Sequence, residues 1–289
     1  MRRSSGKSLK SSASASSITV WSFTGSRPIA SAESSRVIAA ARIAGLLLLL
    51  LAYLPPHLIA RLFGRSPVPP HFLAAAARIC GARVRVEGEP LRPHSLLIAN
   101  HVSWLDILVL AGATRTRFVS KAEVGDHKLL GWLADQNDTL YIERRDRRAV
   151  HGQAREVAEA LGEPRPLALF PEGTTGDGVT LLPFRPALLD AVAPAPPGTH
   201  VRPVAIDYGA MRSALGWSDG ESGKENALRL LGRRGSFPVT VRLLAPLPPG
   251  EDRKAMARDA RAAIETALDL TSAAQEPALA ASNPAAPAL

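Results

Sequence analysis

From about Val68 to Leu270 the chain alternates between two hydrophobic rhythms. Short apolar or β-branched runs predict strands at Ala82–Glu87, Ser95–Ala99, Arg117–Ser120, Thr139–Ile142, Leu167–Phe170, Val201–Ile206 and Val239–Leu244. Longer stretches with a helical period lie between several of them, at Trp104–Ala111, Arg147–Leu161 and Pro186–Val192, and Gly or Pro punctuates most junctions. A last amphipathic helix is expected from about Asp252 to Leu270. Strands and helical crossovers in this alternation predict an α/β domain over residues 68–270, a mixed sheet of about seven strands flanked by helices. The segment 271–289, rich in Ala, Pro and Ser, is expected to be a frayed tail.

A different pattern precedes the domain. Val37–Leu54 is apolar apart from Arg42 and Gly45 and contains an unbroken leucine block, Leu46–Leu51. Pro55 and Pro56 are expected to end any helix there, because proline lacks the N–H and clashes with the preceding turn. A membrane span takes roughly 20 apolar residues, so this run is short for one. Three readings compete. A cleaved signal peptide would need a shorter charged region before it and a small-x-small site after it. A buried core helix would usually show a polar face, which the leucine block lacks. A membrane-anchoring segment over 37–67, spanning or re-entrant and continued by His57–Phe63, fits best.

Charge sharpens this picture. Lys+Arg 35 against Asp+Glu 26 leaves +9, and such an excess calls for an anionic partner. Residues 1–36 read as a Ser-rich, disordered basic arm, with Arg2, Arg3, Lys7, Lys10, Arg27 and Arg36 against Glu33 alone. The arm therefore holds 6 − 1 = +5 and the rest only 9 − 5 = +4. A basic arm ahead of an apolar segment would keep the N-terminus cytoplasmic and attract anionic headgroups. Nucleic acid is the poorer fit, since aromatic residues, which form stacking platforms, make up only 5%. The single cysteine, Cys80, excludes an intramolecular disulfide framework and a cysteine-rich zinc site.

Three motifs carry chemistry. The first is Asn-His-Val-Ser-Trp-Leu-Asp, Asn100–Asp106, after an apolar strand. His101 can serve as a base near neutral pH, and Asp106 can fix its tautomer. Positions five apart lie about 140° apart on a helix, so His101 must precede the helix for the two to meet, with Ser103 as N-cap. Equally, Ser103 and Asp106 have capping-box spacing, in which Asp106 serves only the helix end. The second is Phe-Pro-Glu-Gly-Thr-Thr-Gly-Asp-Gly, Phe170–Gly178, whose glycines let backbone approach a ligand or form an ordinary turn. Glu172 there accepts from a substrate hydroxyl or braces the loop. The third is basic: Lys121 just past a strand, and Arg144 and Arg145 after Tyr141-Ile142-Glu143, placed to grip a phosphate or to open a solvated helix face with Arg147 and Arg148.

In this order and spacing, the HX4D pair His101 and Asp106, Lys121, Ile142-Glu143-Arg144, Phe170–Thr174 and Arg202-Pro203-Val204 resemble the four blocks of the PlsC-like glycerolipid acyltransferases, over some two-thirds of the chain. The resemblance implies that His101 is the general base and Asp106 its partner. It implies that Glu172, Gly173 and Thr174 form the acceptor-binding loop, that Arg144 contacts a phosphate, and that Lys121 and the Pro203 segment line the same cleft. The implied activity is transfer of a fatty acyl group from acyl-CoA or acyl carrier protein to the hydroxyl of a lysolipid, without cofactor or metal. The implied acceptor is 1-acylglycerol-3-phosphate, with lyso-ornithine lipid as the alternative. One position departs from the pattern: Thr175 stands where the third block commonly carries arginine, which weakens a phosphomonoester acceptor. No GxSxG elbow is present, so no acyl-enzyme is expected. The implied setting is a membrane, the bacterial inner membrane with the domain on its cytoplasmic face. Rival readings are a thioester hydrolase and a non-catalytic basic membrane-bound adaptor.

Overall fold

Each of the seven predicted strands forms within two residues of its expected limits. The computed structural model describes residues 32–142, 149–190, 192–218, 220–248 and 252–269. In chain order the elements are α1 (Ala32–Leu62), α2 (Val68–Ile79), β1 (Ala82–Glu87), β2 (Ser95–Ala99), α3 (Leu105–Thr114) and β3 (Arg117–Lys121). Then come the single turn α4 (Ala122–Gly125), α5 (Lys128–Gln136), β4 (Leu140–Ile142), α6 (Ala149–Leu161), β5 (Leu167–Leu169) and β6 (His200–Asp207). The turn α7 (Arg212–Leu215), α8 (Gly223–Leu231), β7 (Phe237–Leu243) and α9 (Arg253–Ala267) complete the fold.

The sheet runs β1-β7-β6-β2-β5-β3-β4. Strands β6, β2, β5, β3 and β4 are mutually parallel, β7 is antiparallel to β6, and β1 is parallel to β7. The carboxyl ends of β6, β2, β5 and β3 therefore share one edge. Strand β2, in the middle, is buried at every position. Its residues alternate between two cores, as a two-residue period demands. Leu97 and Ala99 face a layer containing α2, α3 and α8, whereas Leu96 and Ile98 face α6 and α9. Burying each of these leucine or isoleucine side chains contributes about 1.5–3 kcal/mol.

Helix α3, which carries Asp106, packs closely on α2. A Cβ on Gly112 would fall 2.6 Å from the Ala74 Cα, so glycine permits this approach. The first turn of α2 holds Pro69 and Pro70, where missing N–H groups cost nothing. The period of its Leu-Ala-Ala-Ala-Ala stretch is too weak to predict a helix.

Two expectations fail. Pro55 and Pro56 do not end α1, which continues to Leu62. Contacts on both sides of the prolines hold it in place: Tyr53 packs on Phe72, His57 Nε2 lies 3.0 Å from Gln136 Oε1, and Arg61 pairs with Asp138 at 2.9 Å. Residues Pro186–Val192 form only a 3₁₀ turn, Pro186–Leu188. Pro194, Pro196 and Pro197 follow too closely for a helix to propagate.

Helix α1 is two-faced. Ala39, Arg42, Leu46, Tyr53 and His57 turn toward the domain, and Arg42 donates to the carbonyls of Leu230, Leu231 and Gly235. Leu47, Leu48, Leu51, Leu58, Ile59 and Leu62 are exposed. Over Ser34–Leu62 the helix is long and apolar enough to cross a membrane, and only 6% of its apolar window is buried. Among the described residues, α1 is therefore not a buried core helix. Most of the basic arm and the tail, residues 1–31 and 270–289, lie outside the described residues.

Candidate active site

The site begins where β2 ends. Asn100 Nδ2 donates to the Ile206 carbonyl at 3.1 Å, and Ile206 N donates back to Asn100 Oδ1 at 2.7 Å. A side chain thus continues the β2–β6 ladder one step past Ala99, and the main chain is released to turn at His101. That turn places His101 before α3, as its pairing with Asp106 requires.

Asp106 has no solvent exposure, whereas 16% of the His101 side chain is exposed. His101 Nδ1 donates to Asp106 Oδ2 at 2.9 Å. The N–H groups of Val102 and Ser103 donate to the same oxygen at 2.7 and 2.9 Å, and Tyr208 Oη donates to Oδ1 at 2.5 Å. Four donors and the N-terminus of α3 supply the hydrogen bonds that a buried charge needs. Burial and the Asp106 charge hold the Tyr208 phenol well above its ordinary value, so it remains a donor. Orientation of His101 and binding of the Ser103 N–H are done by one carboxylate, so the two readings of Asp106 coexist. The cap position falls at Trp104 rather than Ser103 and has no side-chain cap.

Because Asp106 holds Nδ1–H, the lone pair of His101 sits on Nε2. The ring stacks on Phe170 with centroids 4.2 Å apart and planes 15° apart, and Phe170 stacks in turn on Phe118. An imidazole fixed in tautomer and in plane can take a proton from a hydroxyl at Nε2.

The glycine loop is tied to the back of this histidine. Glu172, 2% exposed, accepts from His101 N at 2.6 Å and from Leu182 N at 3.2 Å. Gly176 N donates to the His101 carbonyl at 3.0 Å. Of the two uses expected for Glu172, these bonds realise the loop brace. Burial pushes its carboxyl up to about 8, outweighing the two N–H groups that pull it down. Gly173 has φ +73° and Gly178 φ +76°, where glycine alone is unstrained. At Gly178 a Cβ would lie 2.2 Å from the Arg212 carbonyl oxygen.

The topology brings Lys121, at the end of β3, to the edge that holds His101, two strands away in the order β2-β5-β3. Gly173 and Thr174 lie in the same loop as Glu172, with Thr174 exposed and Thr175 half-buried. Arg144, Arg145, Arg147 and Arg148 lie outside the described residues. The Pro203 segment does not line the cleft. Pro203 is buried inside β6 opposite Ile98, and Arg202 spends its guanidinium on the carbonyls of Leu243, Leu244 and Pro90. Pro203 is tolerated in a central strand because β7 pairs with β6 only from Val204 onward.

Asn100, Tyr208 and the stacking role of Phe170 escape sequence reasoning. Their signal was positional: Asn100 and Tyr208 both directly follow or nearly follow apolar strands that turn out to be neighbours. Cys80, capping α2, is buried, and burial pushes its thiol up to about 11, which disables it as a nucleophile.

A fixed base at the carboxyl edge of a parallel sheet, backed by a buried carboxylate and a glycine loop, defines an enzyme that activates a hydroxyl or a water. The profile of the family described as Acyltransferase matches residues 83–207. A lyso-ornithine lipid O-acyltransferase of Pseudomonas aeruginosa is 41% identical over 209 residues, 68% of this chain and 78% of that protein. A 1-acyl-sn-glycerol-3-phosphate acyltransferase of Neisseria gonorrhoeae is 36% identical over 120 residues, 41% and 46% of the two chains. The crystal structure of the acyltransferase PlsC from Thermotoga maritima superposes with a TM-score of 0.56, covering 81% of this chain and 97% of that one at 20% identity, a likeness of fold. The chain belongs to the PlsC-like acyltransferases.

Proposed function

We propose that this acyltransferase moves a fatty acyl group from a thioester, on CoA or acyl carrier protein, to the free hydroxyl of a lysolipid. The observation that carries this reading is the His101–Asp106 pair, which leaves Nε2 able to accept a proton at a partly exposed position. The acceptor oxygen attacks the thioester carbonyl as its proton passes to His101 Nε2. The carbon–sulfur bond of the tetrahedral intermediate then breaks. The thiolate, whose acid has a pKa near 8.5, leaves readily and regains the proton from the imidazolium. Asp106 stabilises that imidazolium and keeps Nδ1 protonated. Glu172 and Gly173 shape the acceptor loop, and Thr174, Lys121 and Arg144 are the contacts proposed for the headgroup.

Lyso-ornithine lipid is the acceptor favoured here. Thr175 removes the guanidinium expected beside a phosphomonoester, and the relative matched over most of its length is named for that lipid. A second reading, 1-acylglycerol-3-phosphate, is supported by the Neisseria relative and by the basic residues Lys121 and Arg144. The acyltransferase domain is assigned to residues 68–270. The exposed apolar face of α1 supports membrane attachment, and the basic arm supports a cytoplasmic N-terminus. Because α1 packs along the domain through Arg42, Tyr53 and His57, we read it as dipping into the inner membrane of a bacterium without crossing, which leaves the domain on the cytoplasmic face.

The test is a panel. Membranes containing the protein are given labelled acyl-CoA or acyl carrier protein with lyso-ornithine lipid, 1-acylglycerol-3-phosphate or neither. Labelled diacyl product from lyso-ornithine lipid is expected. Free fatty acid as the sole product would convert the reading to a hydrolase, and no product at all would favour the non-catalytic adaptor.

A further inference from the structure

A cavity of about 520 Å³ opens at the edge of the sheet opposite His101. Its walls come from the segments entering three parallel strands: Arg92 before β2, Arg115 before β3 and Arg165 before β5, joined by Arg65 from the α1–α2 connection. The length of β2, about 16 Å at the rise of a strand, separates this edge from the catalytic one. Beside the catalytic histidine the crevice is only about 10 Å³, room for a single water.

Charge at the cavity is unbalanced. Glu163 is shared by Arg65 and Arg117, and Asp138 is shared by Arg61 and Arg165. Those two carboxylates thus serve four guanidinium groups. Arg92 and Arg115 are exposed and have no ion-pair partner among the described residues. The lining itself holds four guanidinium groups, Arg65, Arg92, Arg115 and Arg165, and no carboxylate among the described residues. The mutual repulsion is felt: Arg65 and Arg115 both work to destabilise the charged form of Arg165, on top of its burial. Arg165 is nevertheless held rigidly, donating to the Arg115 carbonyl, to Asp138 and to Asn137. Arg65 and Arg165, fixed by their partners, frame a cavity into which the unpaired Arg92 and Arg115 bring uncompensated charge, and such a concavity suits an anion with several acceptor oxygens.

The position of the cavity selects the source of that anion. Arg65 follows the exposed Leu62 and Phe63, 82% and 88% accessible, by three and two residues. They end the apolar face of α1, so the cavity sits where that face meets headgroups. We infer that the pocket of Arg65, Arg92, Arg115 and Arg165 binds the phosphate of an anionic phospholipid headgroup. It is a docking site separate from acyl transfer. The inference extends the membrane attachment proposed above but needs neither the acceptor nor the mechanism.

The experiment compares the full-length wild type with the Arg92→Gln/Arg115→Gln double variant in flotation with phosphatidylcholine vesicles, with and without phosphatidylglycerol. Arg65 and Arg165 are left alone because their ion pairs hold the fold together. A control double variant, Arg155→Gln/Arg258→Gln, removes the same charge from exposed helix positions on α6 and α9. Two basic residues near the surface are worth about 10-fold or more in partitioning. The expected result is a loss of about that size on phosphatidylglycerol vesicles for the pocket variant and less than about 3-fold for the control. Equal losses in both variants, or none in either, would overturn the site. A further arm measures the melting temperature with glycerol 3-phosphate and pure phosphatidylcholine. A pocket-dependent rise there without any vesicle effect would assign the cavity to a free phosphate ester and overturn the lipid source. Acyl transfer by the pocket variant in detergent reports on the catalytic reading separately.

Discussion

The hydroxyl of Tyr208, one residue past β6, donates at 2.5 Å to Oδ1 of Asp106, 102 positions earlier in the chain. Its partner oxygen, Oδ2, holds His101 Nδ1. His101, the proposed base, is therefore held through one carboxylate by the start of α3 and by the residue that follows β6, both on the same face of the sheet.

Tyr208→Phe removes one donor and leaves the ring. Loss of a hydrogen bond to a buried charged group costs about 1.5–3 kcal/mol, visible in urea denaturation. A positioning role adds a kinetic effect: kcat is expected to fall about 10-fold with KM almost unchanged. A drop in stability with full kcat would reduce Tyr208 to a packing residue.

Glu172 makes stability depend on pH with a defined sign. Unfolded, its carboxyl titrates near 4.5, and in the fold burial lifts it to about 8. Between those values the native state holds a proton that the unfolded chain lacks. Its contribution to stability therefore declines as pH rises from about 4.5 to about 8, and it is level above that. Glu172→Gln is neutral throughout, keeps an oxygen for the His101 N–H and loses the acceptor for Leu182. Denaturation midpoints at pH 5, 6.5, 8 and 9 are expected to decline less steeply in the variant. Parallel curves would place the titration elsewhere.

Thr175→Arg restores the guanidinium that the acceptor loop lacks. A charge-assisted contact to phosphate contributes on the order of 1.5–3 kcal/mol, so kcat/KM for 1-acylglycerol-3-phosphate relative to lyso-ornithine lipid is expected to rise at least 10-fold. An unchanged ratio would mean that position 175 does not meet the headgroup.

The sheet was legible because each strand carries its own period and its own punctuation. His101 and Asp106 were legible because five residues of local chain suffice to bring them together. Tyr208, Asn100 and Phe170 were not, since their roles depend on β6 and β5 lying on either side of β2, which no local pattern encodes. The same reason misplaced Pro203: as a motif residue it resembled part of the cleft, while the sheet order puts it inside β6. Pro55 and Pro56 misled for the opposite reason. Their local cost is real, but Tyr53, His57 and Arg61 make tertiary contacts on both sides of it.

Acyl transfer by membranes holding equal amounts of wild type and His101→Ala, with the variant shown to be folded by its denaturation midpoint, tests the central claim most directly. With lyso-ornithine lipid and a labelled acyl thioester, loss of the base is expected to lower the rate about 10²–10⁴-fold. A folded His101→Ala protein that forms diacyl product at the wild-type rate would contradict it.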